Sequence, residues 1–194
     1  MTTNVLRFFS TRDACALRQV CREVLAAVSE HPWEDAKTVI KGSLAAWRLC
    51  FPRALCANVA QGAGGLRRTP VVDADFVHLE GLRKLNLAGC TSVTDAAFAH
   101  LRGIHTLDMS SCCQAGVTDA AFAHLRGISI LDVSFCVQAS ITGEGFAPLR
   151  GIEALSMEDC SKSCIAAARR LGLPVLTNDA LGAALAMSML CAKK

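Results

Sequence analysis

The twelve residues VTDAAFAHLRGI occur twice without a change, at Val93–Ile104 and again at Val117–Ile128. A longer frame surrounds them: apolar-x-x-Leu-x-apolar-x-x-Cys. It opens at Leu82, Ile104, Ile128 and Ile152, and it closes on Cys90, Cys112, Cys136 and Cys160, so the cysteines advance by 22, 24 and 24 residues. Self-similarity at a period of about 20–50 residues marks supersecondary units that cannot bury an apolar face alone and must stack on their neighbours. Stacked units share one core and expose broad surfaces, so the chain points to recognition before it points to chemistry.

Within each unit the local code is readable. Alternation at Leu85/Leu87, Leu107/Met109, Leu131/Val133 and Leu155/Met157 predicts a short strand with one buried face. Thr94-Asp95 and Thr118-Asp119 then predict helix starts, with threonine as N-cap and aspartate in the positive first turn. Phe98 and Leu101, like Phe122 and Leu125, sit three apart and are expected to pack inward, and Gly103, Gly127 and Gly151 end each helix. The first unit keeps this scheme with Asp73, Phe76, Leu79 and Gly81, whereas the fourth weakens it with Gly143 and Gly145.

The flanks read differently. Residues 1–52 are expected to be helical, with Thr11 as N-cap and Leu17, Val20, Cys21, Val24 and Val28 along one helix face. His31-Pro32 ends that helix, because the residue before proline avoids the α region. Ser43 caps a short helix closed by Phe51-Pro52, and Phe51–Val59 fits the apolar frame loosely as a first strand. Gln61 to Thr69 reads as a loop, Ile165–Leu171 as a helix, Leu173–Leu176 as a last strand, and Ala180–Ala192 as a final apolar helix that Asn178-Asp179 caps. That run is shorter than the roughly 18–20 residues that span a bilayer, so no membrane span is expected. The division is therefore a helical region at 1–52, repeats at 53–160 that are regular from about 71, and a C-terminal cap at 161–194.

Composition narrows the functional classes. Hydrophobic residues make up 52% of the 194, which argues against disorder. Basic residues are scattered and the net charge is only +3, so no nucleic-acid partner is expected. Four of the eleven cysteines share one phase of the repeat, the signature of small buried groups and not of a disulfide framework. Mostly reduced thiols and no evident signal peptide place the expected compartment in the cytoplasm or nucleus. A thiol ladder spreads its members along an axis, whereas metal ligands must converge, so no metal is expected. Phosphate-loop, nucleophile-elbow and His-Glu-x-x-His patterns are absent, and the reading is of a non-enzyme without cofactors.

The outward positions of the strands supply the candidate binding face. Its central ladder is Asn86, Asp108, Asp132 and Ser156, flanked by Thr106 and Ile130 on one side and by Ser110, Ser134 and Glu158 on the other. Adjacent carboxylates at Asp108 and Asp132 suit a basic or hydrogen-bonding partner segment; the alternative is a solvated polar face with nothing bound.

The units resemble the cysteine-containing leucine-rich repeats of F-box proteins, with Leu-x-x-Leu-x-Leu-x-x-Cys over Leu82–Cys90 and a Val-Thr-Asp in place of Ile-Thr-Asp after it. Val5 to Glu23 resembles the middle of an F-box, and Pro32-Trp33 stands where that motif often closes; the usual opening Leu-Pro-x-Glu is missing. The alanine- and arginine-rich style is also similar to such proteins of large DNA viruses and some protists, which would place the chain in an infected host cell. The resemblance implies an α/β leucine-rich-repeat solenoid: a short curved parallel sheet, helices on its convex side, an F-box-like helical cap before it and a helical cap after it. It further implies a substrate-recognition adaptor of a cullin-type ubiquitin ligase. Leu6, Phe9, Leu17, Val20 and Cys21 would dock a Skp-family adaptor, and the concave ladder would hold a protein substrate. Two alternatives stand beside it: a repeat scaffold whose N-terminus is only a cap, and a homo-oligomer joined through the apolar C-terminal helix.

Overall fold

The computed structural model describes residues 6, 8–17, 19, 21–61 and 70–177. Val20 and the apolar run 180–192 therefore lie outside the described residues, as do residues 62–69 of the expected loop and the cap at Asn178-Asp179.

The protein is α/β, with one six-stranded parallel sheet whose strands lie side by side in chain order. These are β1 (Cys56–Asn58), β2 (Lys84–Asn86), β3 (Thr106–Asp108), β4 (Ile130–Asp132), β5 (Ala154–Ser156) and β6 (Val175–Leu176). The register aligns equivalent positions: Leu85, Leu107, Leu131 and Leu155 are neighbours, and so are Asn58, Asn86, Asp108, Asp132 and Ser156. Backbone bonding continues past each strand, as in Met109 N–H to Asp132 O (2.9 Å) and Ser111 N–H to Ser134 O (2.8 Å). The loosely matching Cys56–Asn58 and the short Val175–Leu176 extend the sheet at its two ends.

One hydrophobic cluster runs from Leu6 to Leu173. Identical phases occupy identical layers: Phe76, Phe98, Phe122 and Phe146 are fully buried, and so are Leu87, Met109 and Met157. Phe122 and Phe146 meet edge to face at 4.6 Å, a favoured aromatic geometry. The fourth unit, weak in sequence, buries Phe146 and Leu149 as fully as its neighbours bury theirs.

Most of the segments between strands differ from the α-helices expected of them. Asp73–Leu79, Asp119–Leu125 and Glu144–Leu149 are 3₁₀-helices, Asp95–Phe98 (α4) makes one α-turn before Ala99–Leu101 tightens again, and the segment before β6 is α-helical as expected, at Lys162–Arg170. A 3₁₀-helix has three residues per turn, which eclipses positions i and i+3. That geometry puts Phe98 above Leu101 and Phe122 above Leu125 on one inward edge.

The aspartates of these segments act across units. Asp73 accepts from Thr94 N–H and Oγ1–H at 2.7 and 2.6 Å, and Asp95 accepts from Thr118 in the same way at 2.7 and 2.6 Å. Asp119 takes the same two donors of Thr142. Asp73 and Asp95 thus anchor the next turn's N-cap threonine and Asp119 anchors Thr142, ties between residues 21 to 23 apart in the chain.

The N-terminal region holds α1 (Thr11–Leu17), α2 (Arg22–Glu30) and α3 (Leu44–Cys50). The single apolar helix face expected from Leu17 to Val28 is broken at Cys21, whose backbone is extended (φ −160°, ψ 171°). The break lets α2 fold back on α1, so that Ala14 and Val28 reach the same core. Ser10, not Thr11, caps α1: Asp13 N–H donates to Ser10 Oγ, and Ser10 N–H donates to Asp13. Thr11 is buried instead, giving its N–H and hydroxyl to Asp35 at 2.8 and 3.0 Å. Ser43 caps α3 as the sequence suggests. The region joins β1 through Ile40 N–H to Asn58 O (2.8 Å) and Cys56 N–H to Trp33 O (3.2 Å).

Candidate functional site

Strand alternation turns the central ladder away from the leucine layer, yet the ladder is only half exposed. Asn86, Thr106, Asp108, Ser110, Asp132 and Glu158 are partly accessible. Ile130, Ser134 and Ser156 are buried, at 5%, 3% and 7% exposure, so they are withdrawn from the face on which alternation had placed them. Ile130 sits between Thr106 and Ala154 in the register. Ser134 is fixed by Ser156 Oγ at 2.9 Å and receives Glu158 N–H at 3.1 Å.

The ladder side chains also serve the backbone. Asn58, Asn86, Asp108 and Asp132 each accept the N–H two residues on, from Ala60, Ala88, Ser110 and Ser134, at 2.8–3.1 Å. Such Asx turns end the strand and start the bend toward the cysteine. One residue further on, Gly89, Ser111, Phe135 and Asp159 take positive φ of 71°, 59°, 60° and 51°. This left-handed position recurs in the units of β2 to β5, and in three of them it is filled by a residue that enters the region at a cost.

The electrostatics single out Asp132. Its burial raises the carboxyl's pKa above the ordinary value; the Ser134 hydrogen bonds oppose the shift, and the charges of Asp108 and Glu158 add to it. Among the described residues no Lys, Arg or His forms an ion pair with Asp108 or Asp132; the pairs present are His100–Glu80 and Arg170–Glu144. An Asn at position 132 would keep the oxygen that Ser134 needs and remove the charge. A raised folded pKa means that the fold holds the proton longer than the unfolded chain does, so stability is lost as pH rises through Asp132's titration range. Asp132→Asn is therefore expected to raise the urea midpoint at pH 7, with the gain shrinking as pH falls into the range where Asp132 is protonated. Equal midpoints for both proteins across that range would refute the assignment.

The cysteine ladder is structural. Cys90, Cys112 and Cys136 are buried and Cys160 half-buried, and each thiol reaches a carbonyl one unit back: Val59, Leu87, Met109 and Val133. Burial pushes the Cys136 thiol up to about 12 and Cys160 to about 11, and raises Cys112 further. Thiols held protonated at neutral pH are poor nucleophiles. None of the described cysteines is disulfide-bonded, and no group of three or more His, Cys, Asp or Glu among the described residues is placed to hold a metal.

The N-terminal candidates are not brought together as a free face. Leu6 is buried at 6% exposure, and Phe9 and Leu17 are partly buried against the core that continues into the repeats. Cys21 is exposed, and Val20 lies outside the described residues. Leu6 is a core residue and offers almost no surface for docking, which accords with the alternative in which the N-terminus is a cap. Exposed apolar side chains stand elsewhere in this region, at Phe8 (77%), Leu25 (40%) and Leu49 (83%), and on the turns of the repeats at Phe135 (44%) and Val137 (63%).

Sequence reasoning missed the aspartate–threonine ties, and Phe135 and Val137 beside the acidic ladder. The recurrence of Thr-Asp at the repeat period was the available signal for the first. Among the described residues, no helix is long and apolar enough to cross a membrane. No protein-family model matches the chain, and no curated protein matches it either.

Proposed function

We propose that the chain is a short leucine-rich-repeat solenoid acting as a non-enzymatic protein-binding module, and that its strand face takes a basic segment of a protein partner. The observation that carries this reading is the row Asp108–Asp132–Glu158, in which Asp132 is half-buried, has no Lys, Arg or His ion partner among the described residues, and is raised in pKa by burial first and then by the charges of both neighbours. Folding alone disfavours that arrangement, and positions that break a local rule without structural gain are where function is expected. Phe135 and Val137, exposed at the margin of the row, supply apolar contact area for the same partner. Under this reading α1–α3 close one end of the shared core and α5 (Lys162–Arg170) with β6 closes the other, as terminal units of repeat proteins do. Unbridged thiols support a reducing compartment, cytoplasmic or nuclear.

The test is calorimetric titration with a synthetic peptide alternating Lys and Leu. Binding is expected to weaken with salt and to fall by about 10- to 100-fold in the double variant Asp108→Lys/Asp132→Lys. Unchanged affinity in that variant would remove the strand face from the proposal.

A second reading, a ubiquitin-ligase adaptor similar to F-box proteins, is supported by the exposed Phe8 and Leu49 on the helical region. It would use these residues in place of the buried Leu6. Capture of a Skp-family adaptor by the wild type, lost in Leu49→Asp, would favour it, and no capture by the wild type would retire it. The homo-oligomer reading rests on the run 180–192, outside the described residues.

A further inference from the structure

Glu80, Arg102, Arg126 and Arg150 hold one phase of the repeat. Each closes the segment that precedes a strand, with φ between −55° and −59° and ψ between 129° and 142°. Neighbouring strands lie about 5 Å apart, so three arginines follow one another along the edge of the sheet where β3, β4 and β5 begin. All three are exposed, and like charges set side by side repel. Other arginines of the chain have partners: Arg48 donates to Ala54 O and Glu80 O, and Arg170 pairs with Glu144. Among the described residues, the side chains of Arg102, Arg126 and Arg150 have neither a carbonyl nor a carboxylate partner, so helix-end capping does not account for them. Arg83, Lys84 and His105 are exposed on the same edge, where His105 N–H donates to Arg83 O at 2.9 Å. The carboxylates there are Glu80, which His100 Nδ1 meets at 2.6 Å, and Glu153. The four loops 80–84, 102–106, 126–130 and 150–154 contain no Phe, Trp or Tyr.

We propose that this edge is a second interface, taking an extended acidic segment of a protein partner that runs across the units. Arginines that repel one another with no structural gain break a local rule, and such positions are where function is expected. The chemistry of the occupant follows from the charge and from the spacing. In an extended peptide the side chains of one face recur about every 7 Å, which keeps alternate carboxylates within reach of a row of long guanidinium side chains. The guanidinium fork matches a carboxylate with two parallel hydrogen bonds. A single-stranded nucleic acid also carries negative charge, but its binding surfaces interleave cations with aromatic rings that stack the bases, and these loops have no such ring. The acidic row Asp108–Asp132–Glu158 stands at the opposite ends of the same strands. The two interfaces share no charged residue, so this inference is independent of the strand-face proposal.

The experiment is calorimetric titration of the full chain with a synthetic peptide alternating Glu and Thr. A Gln–Thr peptide of the same length and an oligothymidylate of the same net charge are the parallel probes. Saturable one-to-one binding of the Glu–Thr peptide is expected, weakening with salt. The Gln–Thr peptide is expected not to bind, and oligothymidylate to bind more weakly. Arg102→Glu/Arg126→Glu should lower the affinity for the Glu–Thr peptide by about tenfold or more, with a thermal midpoint no lower than that of the wild type. If that variant does not fold, Arg102→Gln/Arg126→Gln carries the same test. Arg12→Glu/Lys41→Glu changes the net charge by the same amount at exposed positions outside this edge, and it should keep the wild-type affinity. Absence of saturable binding, oligothymidylate binding as tight as that of the peptide, or equal losses in the two charge-reversed pairs would each overturn the proposal.

Discussion

Replacing Phe122 with alanine is expected to lower the stability of the protein by about 3–5 kcal/mol, the usual cost of removing a fully buried phenyl ring. Phe122 has no exposed surface and meets Phe146 edge to face at 4.6 Å, so the variant loses both its own burial and an aromatic contact across two units. The layer cannot close over the gap easily, because the backbone on either side is pinned by the ties from Asp95 to Thr118 and from Asp119 to Thr142. Since native domains are stable by only about 5–15 kcal/mol, the variant should show a large drop in urea midpoint. Phe135→Ala is the control, for that ring is 44% exposed and touches no such layer. A loss below about 1 kcal/mol for Phe122→Ala would contradict the account of a core shared between units.

The second large effect is expected at Gly89. Its φ of +71° is left-handed, but Ser111, Phe135 and Asp159 occupy the equivalent position, so conformation alone does not demand glycine. What demands it is the backbone of Gln61: a Cβ at residue 89 would lie 2.2 Å from Gln61 O. Gly89→Ala therefore combines left-handed strain of about 1–2 kcal/mol with overpacking of about 1–3 kcal/mol, for a total of about 2–5 kcal/mol. Gly103, with φ +80° and no atom within 4 Å of its would-be Cβ, carries only the first part. Chemical denaturation of Gly89→Ala and Gly103→Ala side by side separates the two contributions. Equal losses in both would show that the Gln61 contact yields without cost.

Much of the architecture was legible because repetition makes environments equivalent. Once the cysteines recur at 22, 24 and 24 residues, Leu85, Leu107, Leu131 and Leu155 must occupy one layer, and the parallel register follows. The glycine stops, the cap at Ser43, the first strand at Cys56–Asn58 and the last at Val175–Leu176 were readable for the same local reasons. The candidate face was legible only as a set of phases. Alternation placed Ile130, Ser134 and Ser156 outward, and the structure buried them, because exposure of a short strand's outer side depends on the side chains one unit away and on the turn beyond. The N-terminal region was the hardest to read. An apolar period from Leu17 to Val28 fits one helix and equally fits two helices folded on each other, and nothing local states where Cys21 must turn extended.

The sequence by itself therefore determined what is equivalent to what: the period, the layers, the strand order and the thiols that lie inside. Only the tertiary structure decided which of those equivalent positions meet solvent, which aspartate holds the next threonine, and which arginines find no partner among the described residues. The physical reason is one of range. A repeat is written by residues within a few positions of each other, whereas burial, pKa and unmet hydrogen bonds are set by atoms from units more than twenty residues away.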